Sequence, residues 1–248
     1  MNSLSQPWTP GPDNKPVYEF LPGDNSRQTH ALREALREMD HTPNGRTAIS
    51  VLDLGCGNGT SYAAFSERSK AVRCVGLDIV DSPEVALRPR KALPFCTYDG
   101  IRVPLADDSF DMVYSRQVFE HVRYPENVIA EAYRVLKPGG VFVGSTSQLE
   151  PFHSRSLWNY TPYGFCVLLR DAGFKAIQVR PGIDGLTLIW RHCFGYIRMT
   201  KLFDLFFRVE SFINLALETG LRILGWPVKR RNAIKLSFSG QFCFLGHK

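Results

Sequence analysis

The chain has 248 residues, 44% of them hydrophobic and 22% charged, with a formal net charge of +6. That length and apolar content suit one elaborated α/β domain, or one domain plus an appendage, and exclude a disordered chain. The charge is uneven: residues 151–248 hold 14 of the 30 Lys and Arg but 5 of the 24 Asp and Glu, a basic bias that means solubility before it means an anionic partner.

Residues 1–25 are rich in Pro, Gly and Asn and read as an extended arm, without the basic region and apolar run of a secretory leader. The six cysteines lie far apart, with no C-x-x-C pair, and read as thiols of a reducing, cytoplasmic compartment. No apolar run reaches the 18 or so residues of a spanning helix.

"SRQTHALREALREMD" opens on a Ser26 cap and spaces Ala31, Leu32, Ala35, Leu36 and Met39 as a helix does, so residues 1–45 form an arm and helix. From Ile49 the runs "ISVLDL", "VRCVGLD", "PFCTYD", "DMVYSR" and "GVFVGST" alternate with helical stretches near 60–69, 83–90, 117–122 and 126–136. Short apolar runs alternating with helices imply a mostly parallel sheet covered on both faces. "TPYGFCVLLRDAGF" is a helix with a Thr161 cap and Pro162 at its first position, and "KAIQVRP" is a sixth strand. Residues 182–233 are too long for a structureless loop and read as a helical insert or lid, before "IKLSFSGQFCFLG" closes the chain as a last strand. The core is then 46–181 with 234–248.

In such a sheet the ligand sits beyond the carboxyl ends of the strands, and the first strand-to-helix turn supplies backbone contacts. Here that turn is "DLGCGNGT". Gly55, Gly57 and Gly59 allow conformations a Cβ forbids, and Asp53 places an acid behind them. The spacing is G-x-G-x-G, whereas a dinucleotide fingerprint is G-x-G-x-x-G, and the acid favours a cationic ligand portion over a pyrophosphate. Asp78 ends the second strand where a ribose diol needs an acceptor, and Asp99 ends the third where an adenine amino group does. Ribose, adenine and a cationic amino acid together describe S-adenosylmethionine.

On "VLDLGCGNGT", "GLDIV", "YDGIRVPLADDSFDMVYSRQVFEHV" and "EAYRVLKPGGVFVGS", residues 50–146 resemble the class I S-adenosylmethionine-dependent methyltransferases of the type 11 branch. The resemblance implies a Rossmann-like, seven-stranded, mostly parallel sheet with an antiparallel last strand. It implies that Asp53 and the Gly55–Cys56–Gly57–Gly59 loop hold the methionine part, that Asp78 and Ile79 hold the ribose and flank the adenine, and that Asp99 and Gly100 read the adenine edge. Ser115 and Arg116 are implied near the cofactor amine. Lys137, Pro138, Gly139 and Gly140 are read as a turn outside the site.

Methyl transfer from a sulfonium needs an in-line nucleophile in a dry site, and a base only if the acceptor must lose a proton. His121, in "FEHV", is the candidate base; His153, Tyr160 and Tyr163 are further candidates for the acceptor pocket. "YSRQ" stands where many nitrogen methyltransferases carry Asn/Asp-Pro-Pro-Tyr, which favours O-methylation of a small molecule, with carbon or amine methylation behind it. No His, Cys and carboxylate set shows ligand spacing, so no metal is expected. Between Arg198 and Leu224 polar residues recur at helical spacing around an apolar arc of Phe203, Phe206, Phe207, Phe212, Ile213, Leu217 and Leu221. That arc fits plain packing, a lid over a hydrophobic or lipid-linked acceptor, or peripheral membrane contact through residues 198–226. Rival readings are an RNA methyltransferase using the basic C-terminal half, a nicotinamide-dependent oxidoreductase, and a cofactor-binding protein without catalysis; nucleic acid is disfavoured as a partner.

Overall fold

The computed structural model describes residues 15–24, 30–41, 48–68, 71–86, 94–196 and 211–248. Strands β1 (Ile49–Leu54), β2 (Val72–Ile79), β3 (Phe95–Tyr98), β4 (Phe110–Arg116), β5 (Leu136–Ser147), β6 (Lys175–Pro181) and β7 (Gln241–His247) form one sheet of order β3-β2-β1-β4-β5-β7-β6. β1 to β5 pair in parallel, and β7 runs antiparallel between β5 and β6. The register aligns Leu54 with Leu77, and Asp78 with Thr97, so the carboxyl ends of the first three strands finish along one edge.

Strand β4 is buried from Phe110 to Ser115 because both of its faces are covered. On one face α2 (Ala31–His41) buries Ala31, Ala35 and Met39 at intervals of four against Val51, Met112, Tyr114 and Val143. On the other, α5 (Pro125–Val135) and α6 (Pro162–Asp171) cover Leu52, Val113, Phe142 and Phe244. Thr161 caps α6 as expected, its hydroxyl accepting from the Gly164 amide.

The amino-terminal arm differs from expectation: Lys15–Tyr18 form a helical turn, α1, while Phe20 and Leu21 are buried and Phe20 carbonyl accepts from the Val179 amide. Residues 1–14 and the Ser26 cap lie outside the described residues. α3 (Thr60–Arg68) and the short α4 (Pro83–Ala86) follow β1 and β2.

The insert contains α7 (Gly185–Tyr196), α8 (Phe212–Ile223) and α9 (Val228–Phe238). The expected arc residues Phe203, Phe206 and Phe207 lie outside the described residues. The last strand begins at Gln241 and not at Ile234, because α9 runs on to Phe238. "IKLSF" has a strand's alternation, but Asn232, Ala233, Lys235 and Leu236 are buried together on one helical face. Lys235 is fully buried and pairs with Glu218 of α8 at 3.0 Å, which Arg231 also reaches at 3.2 Å. Tertiary pairing thus overrides the local period. No helix among the described residues is long and apolar enough to cross a membrane.

Candidate active site

The glycine loop leaves β1 with φ of +72°, +50° and +80° at Gly55, Gly57 and Gly59. Gly55 is required twice over, since a Cβ there would also lie 2.2 Å from Val118 Cγ2. The loop amides turn inward. Gly55 and Cys56 both donate to the Leu77 carbonyl, Gly57 donates to Asp78 Oδ2 at 2.6 Å, and Gly59 donates to the Cys56 carbonyl. With those amides engaged, the loop offers a cradle of backbone and Cα surface rather than a nest for a pyrophosphate.

Asp78 is buried, and its Oδ1 accepts from the Ile79 amide at 2.8 Å. These two amides fix the carboxylate between the end of β2 and the glycine loop. Asp53, also buried, accepts from the Ser61 hydroxyl of α3 and sits under the loop. Ile79 is exposed at the strand end beside Gly100, whose φ is +79°. A Cβ on Gly100 would lie 3.7 Å from Ile79 Cγ2, so the two share one apolar shelf.

Asp99 Oδ1 accepts from the Ile101 and Arg102 amides, both at 2.8 Å. Those amides hold its carboxyl below the ordinary carboxylate range, so Asp99 braces its own turn as well as marking the shelf's edge. At the end of β4, Ser115 is buried with its hydroxyl lacking a hydrogen-bond partner in the described structure, and Arg116 is exposed. Lys137 to Gly140, expected as a turn, lie within β5, and Lys137 pairs with Asp111 at 2.8 Å.

Beyond β4 the chain makes a 3-10 turn, Phe119–His121. Phe119 is fully buried against Phe142, Phe165 and Phe244 at centroid distances of 5.4–6.2 Å, which anchors the turn. The segment after β5 is stapled to it: Leu157 and Trp158 amides donate to the Glu120 carbonyl, Trp158 Nε1 to the Val122 carbonyl, and Tyr160 Oη to the Phe119 carbonyl. His153 is thereby brought edge-on to His121, centroids 5.2 Å apart.

Tyr160 serves as a brace through its hydroxyl. Tyr163, by contrast, packs toward Phe20 in the amino-terminal segment. The residue that sequence reasoning missed is Glu120. It is fully buried, accepts from the Thr146 hydroxyl at 3.1 Å, and receives the Gln117 amide at 2.9 Å when that amide's nitrogen faces it. Burial pushes its carboxyl up to about 7, with Glu150 adding to the rise. Burial also lowers the His121 imidazole, as does His153, while the Arg155 backbone bonded to its ring opposes that.

No set at metal-ligand spacing is legible in the sequence, yet the fold brings one candidate together. One ligand atom each from Glu120, His121 and His153 lie within 4.8 Å of one another. Sequence spacing hid the set because His153 arrives from the loop after β5, although an acid and an imidazole side by side in "FEHV" were the available signal.

A Rossmann-like sheet of this order, with an inward-turned glycine loop and an acid at the end of β2, defines a methyltransferase fold. Residues 52–144 match the family described as a methyltransferase domain. A probable S-adenosylmethionine-dependent methyltransferase of Mycolicibacterium smegmatis is 34% identical over 151 residues, covering 56% of this chain and 56% of the relative. The ubiquinone biosynthesis O-methyltransferase of Histophilus somni is 30% identical over 149 residues, covering 56% of this chain and 57% of that one. Haemonchus contortus phosphoethanolamine N-methyltransferase 2, solved in complex with S-adenosyl-L-methionine, shares the fold with a TM-score of 0.57 at 20% identity, over 87% of this chain and 52% of that one. The chain spans about half the length of the curated relatives it matches. Residues 52–144 thus carry the likeness to a methyltransferase domain, and the fold around them is that of S-adenosylmethionine-dependent methyltransferases of known structure.

Proposed function

We propose that the protein transfers the methyl group of S-adenosylmethionine to a hydroxyl of a small hydrophobic or lipid-linked acceptor. The observation that carries this reading is the composition of the mouth beside the glycine loop. His121 and His153 stand edge to edge there, and the segment after β5 that brings His153 also exposes Leu149, Phe152, Leu157 and Trp158. An apolar rim around a few polar groups suits an apolar molecule presenting one reactive oxygen. The H. somni relative, named for O-methylation in ubiquinone biosynthesis, supports the same chemistry.

Asp53 and the Gly55–Gly59 loop hold the amino-acid part of the cofactor, with Ser115 and Arg116 nearby. Asp78 holds the ribose, and Ile79, Asp99 and Gly100 frame the adenine. His121 is the group through which the acceptor's proton is handled. The inward-turned loop amides disfavour a nicotinamide dinucleotide.

A specific observation favours contact with a membrane surface as well. On α7 the residues Leu186, Ile189 and Trp190 are exposed along one stripe, and on α8 so are Phe212, Leu215 and Ile223. Phe152 of the rim meets His192 of α7, ring centroids 6.1 Å apart, which makes the rim and the stripe continuous. Exposed Arg191, Arg222 and Arg230 flank them, as an anionic surface would require. The six free cysteines suit a cytoplasmic setting.

The experiment is release of S-adenosylhomocysteine from S-adenosylmethionine with hydrophobic phenols and lipid-linked alcohols in detergent micelles, against folded RNA as the rival acceptor. Turnover with the hydroxylated lipids alone supports the reading. Turnover with RNA alone sinks it.

A further inference from the structure

Glu120, His121 and His153 form a two-histidine, one-carboxylate set whose ligand atoms lie within 4.8 Å of one another. Three protein ligands of this kind are what catalytic divalent-metal sites use, because they leave coordination positions open for a substrate oxygen.

The surroundings of each ligand point the same way. A ligating histidine ordinarily donates its second ring nitrogen to a carbonyl or carboxylate, which fixes the tautomer and frees the other nitrogen for the ion. His153 Nδ1 lies 3.3 Å from the Pro151 carbonyl and 3.8 Å from Glu150 Oε1. The His121 ring is hydrogen-bonded to the Arg155 backbone. Glu120 is fully buried, and a buried carboxylate is costly unless it is paired or coordinates a cation. The Thr146 hydroxyl donates to one of its oxygens and orients it, as outer partners do for a ligating carboxylate. Val118, three residues before His121, lies against Gly55, so the turn that carries two of the ligands abuts the glycine loop.

We infer that Glu120, His121 and His153 bind a divalent cation at the acceptor side of the site. This rests on the methyltransferase reading and specifies how His121 acts: as a ligand, through the ion. The ion polarises the acceptor hydroxyl and lowers its pKa, so its proton passes to water. The oxygen's electron pair forms the bond to the methyl carbon, the carbon–sulfur bond breaks, and its pair stays on sulfur to give the neutral thioether.

Cobalt(II) is the probe, added to the untagged full chain and read by its visible absorption and by calorimetry, with S-adenosylhomocysteine binding measured alongside. We expect one cobalt per chain. His153→Ala, at a partly exposed position, should weaken it at least tenfold while leaving S-adenosylhomocysteine binding intact. Glu120→Gln, nearly isosteric, should weaken it likewise. Wild type that binds the thioether but no cobalt, or cobalt held equally by wild type and both variants, overturns the metal site and leaves the methyltransferase reading standing. Wild type that fails to bind the thioether overturns both.

Discussion

Asp78 Oδ2 accepts the Gly57 amide at 2.6 Å, which ties the end of β2 to the middle of the glycine loop. One carboxylate therefore shapes the loop at the position proposed for the ribose. Asp78→Ala should lower affinity for S-adenosylmethionine and S-adenosylhomocysteine about ten- to a hundredfold, the equivalent of roughly 1.5–3 kcal/mol for a lost hydrogen-bonded carboxylate. Isothermal titration with unchanged affinity would remove Asp78 from the site.

Two glycines with similar φ make opposite steric predictions. Gly55→Ala combines φ +72° with a Cβ 2.2 Å from Val118, whereas Gly139→Ala, at φ +76°, meets nothing within 4 Å. The second change should cost only the left-handed strain, about 1–2 kcal/mol. The first should cost more, through displacement of Val118 and the turn behind it, and should also impair cofactor binding. Chemical denaturation of both variants checks the order, and equal losses would mean that Val118 yields freely.

Asp111 is buried at the start of β4, where burial tends to raise its carboxyl but Lys137 and Ser50 outweigh that and leave it below the ordinary range. A carboxyl lowered in the fold stabilises the protein above its unfolded pKa, and that contribution is lost as pH falls through the folded value. Asp111→Asn should therefore destabilise by about 1–3 kcal/mol at pH 7, and the gap from wild type should narrow below pH 4. A pH-independent gap in urea titrations would assign the loss to packing instead.

The apolar stripe of α7 and α8 predicts binding to vesicles rich in anionic lipid, weakening with salt because each basic residue near the surface contributes about 1 kcal/mol. Leu186→Glu with Trp190→Glu should abolish flotation without changing S-adenosylhomocysteine affinity. Absence of flotation, with hydrophobic acceptors still methylated in micelles, would leave these helices as a cover for the acceptor.

A chelator test follows from the cluster around Glu120. EDTA should depress turnover and added divalent ion restore it, while thioether binding stays unchanged. Full activity in chelator would return His121 to the role of a free base.

The features written in short range were legible along the chain. The alternation of β1 to β5 with helices, the Thr161 cap and the three-glycine loop each depend on neighbours a few residues apart, and each appears at its expected place. Periodicity, capping and positive φ are local physics, so they survive the reading of a chain without its fold. The tertiary structure decided whatever depends on distant segments meeting. "IKLSF" has the period of a strand yet lies in α9, because the pairing of buried Lys235 with Glu218 outweighs a local preference. Tyr163 turns to Phe20 while His153 turns to His121, although both follow β5 in one loop-and-helix stretch. Glu120 reads as one more acid in "FEHV" until Phe119 is locked into the aromatic core and the segment from Leu157 to Tyr160 is stapled over it. A side chain's burial and partners are set by packing across the sheet, which spacing along the chain does not encode.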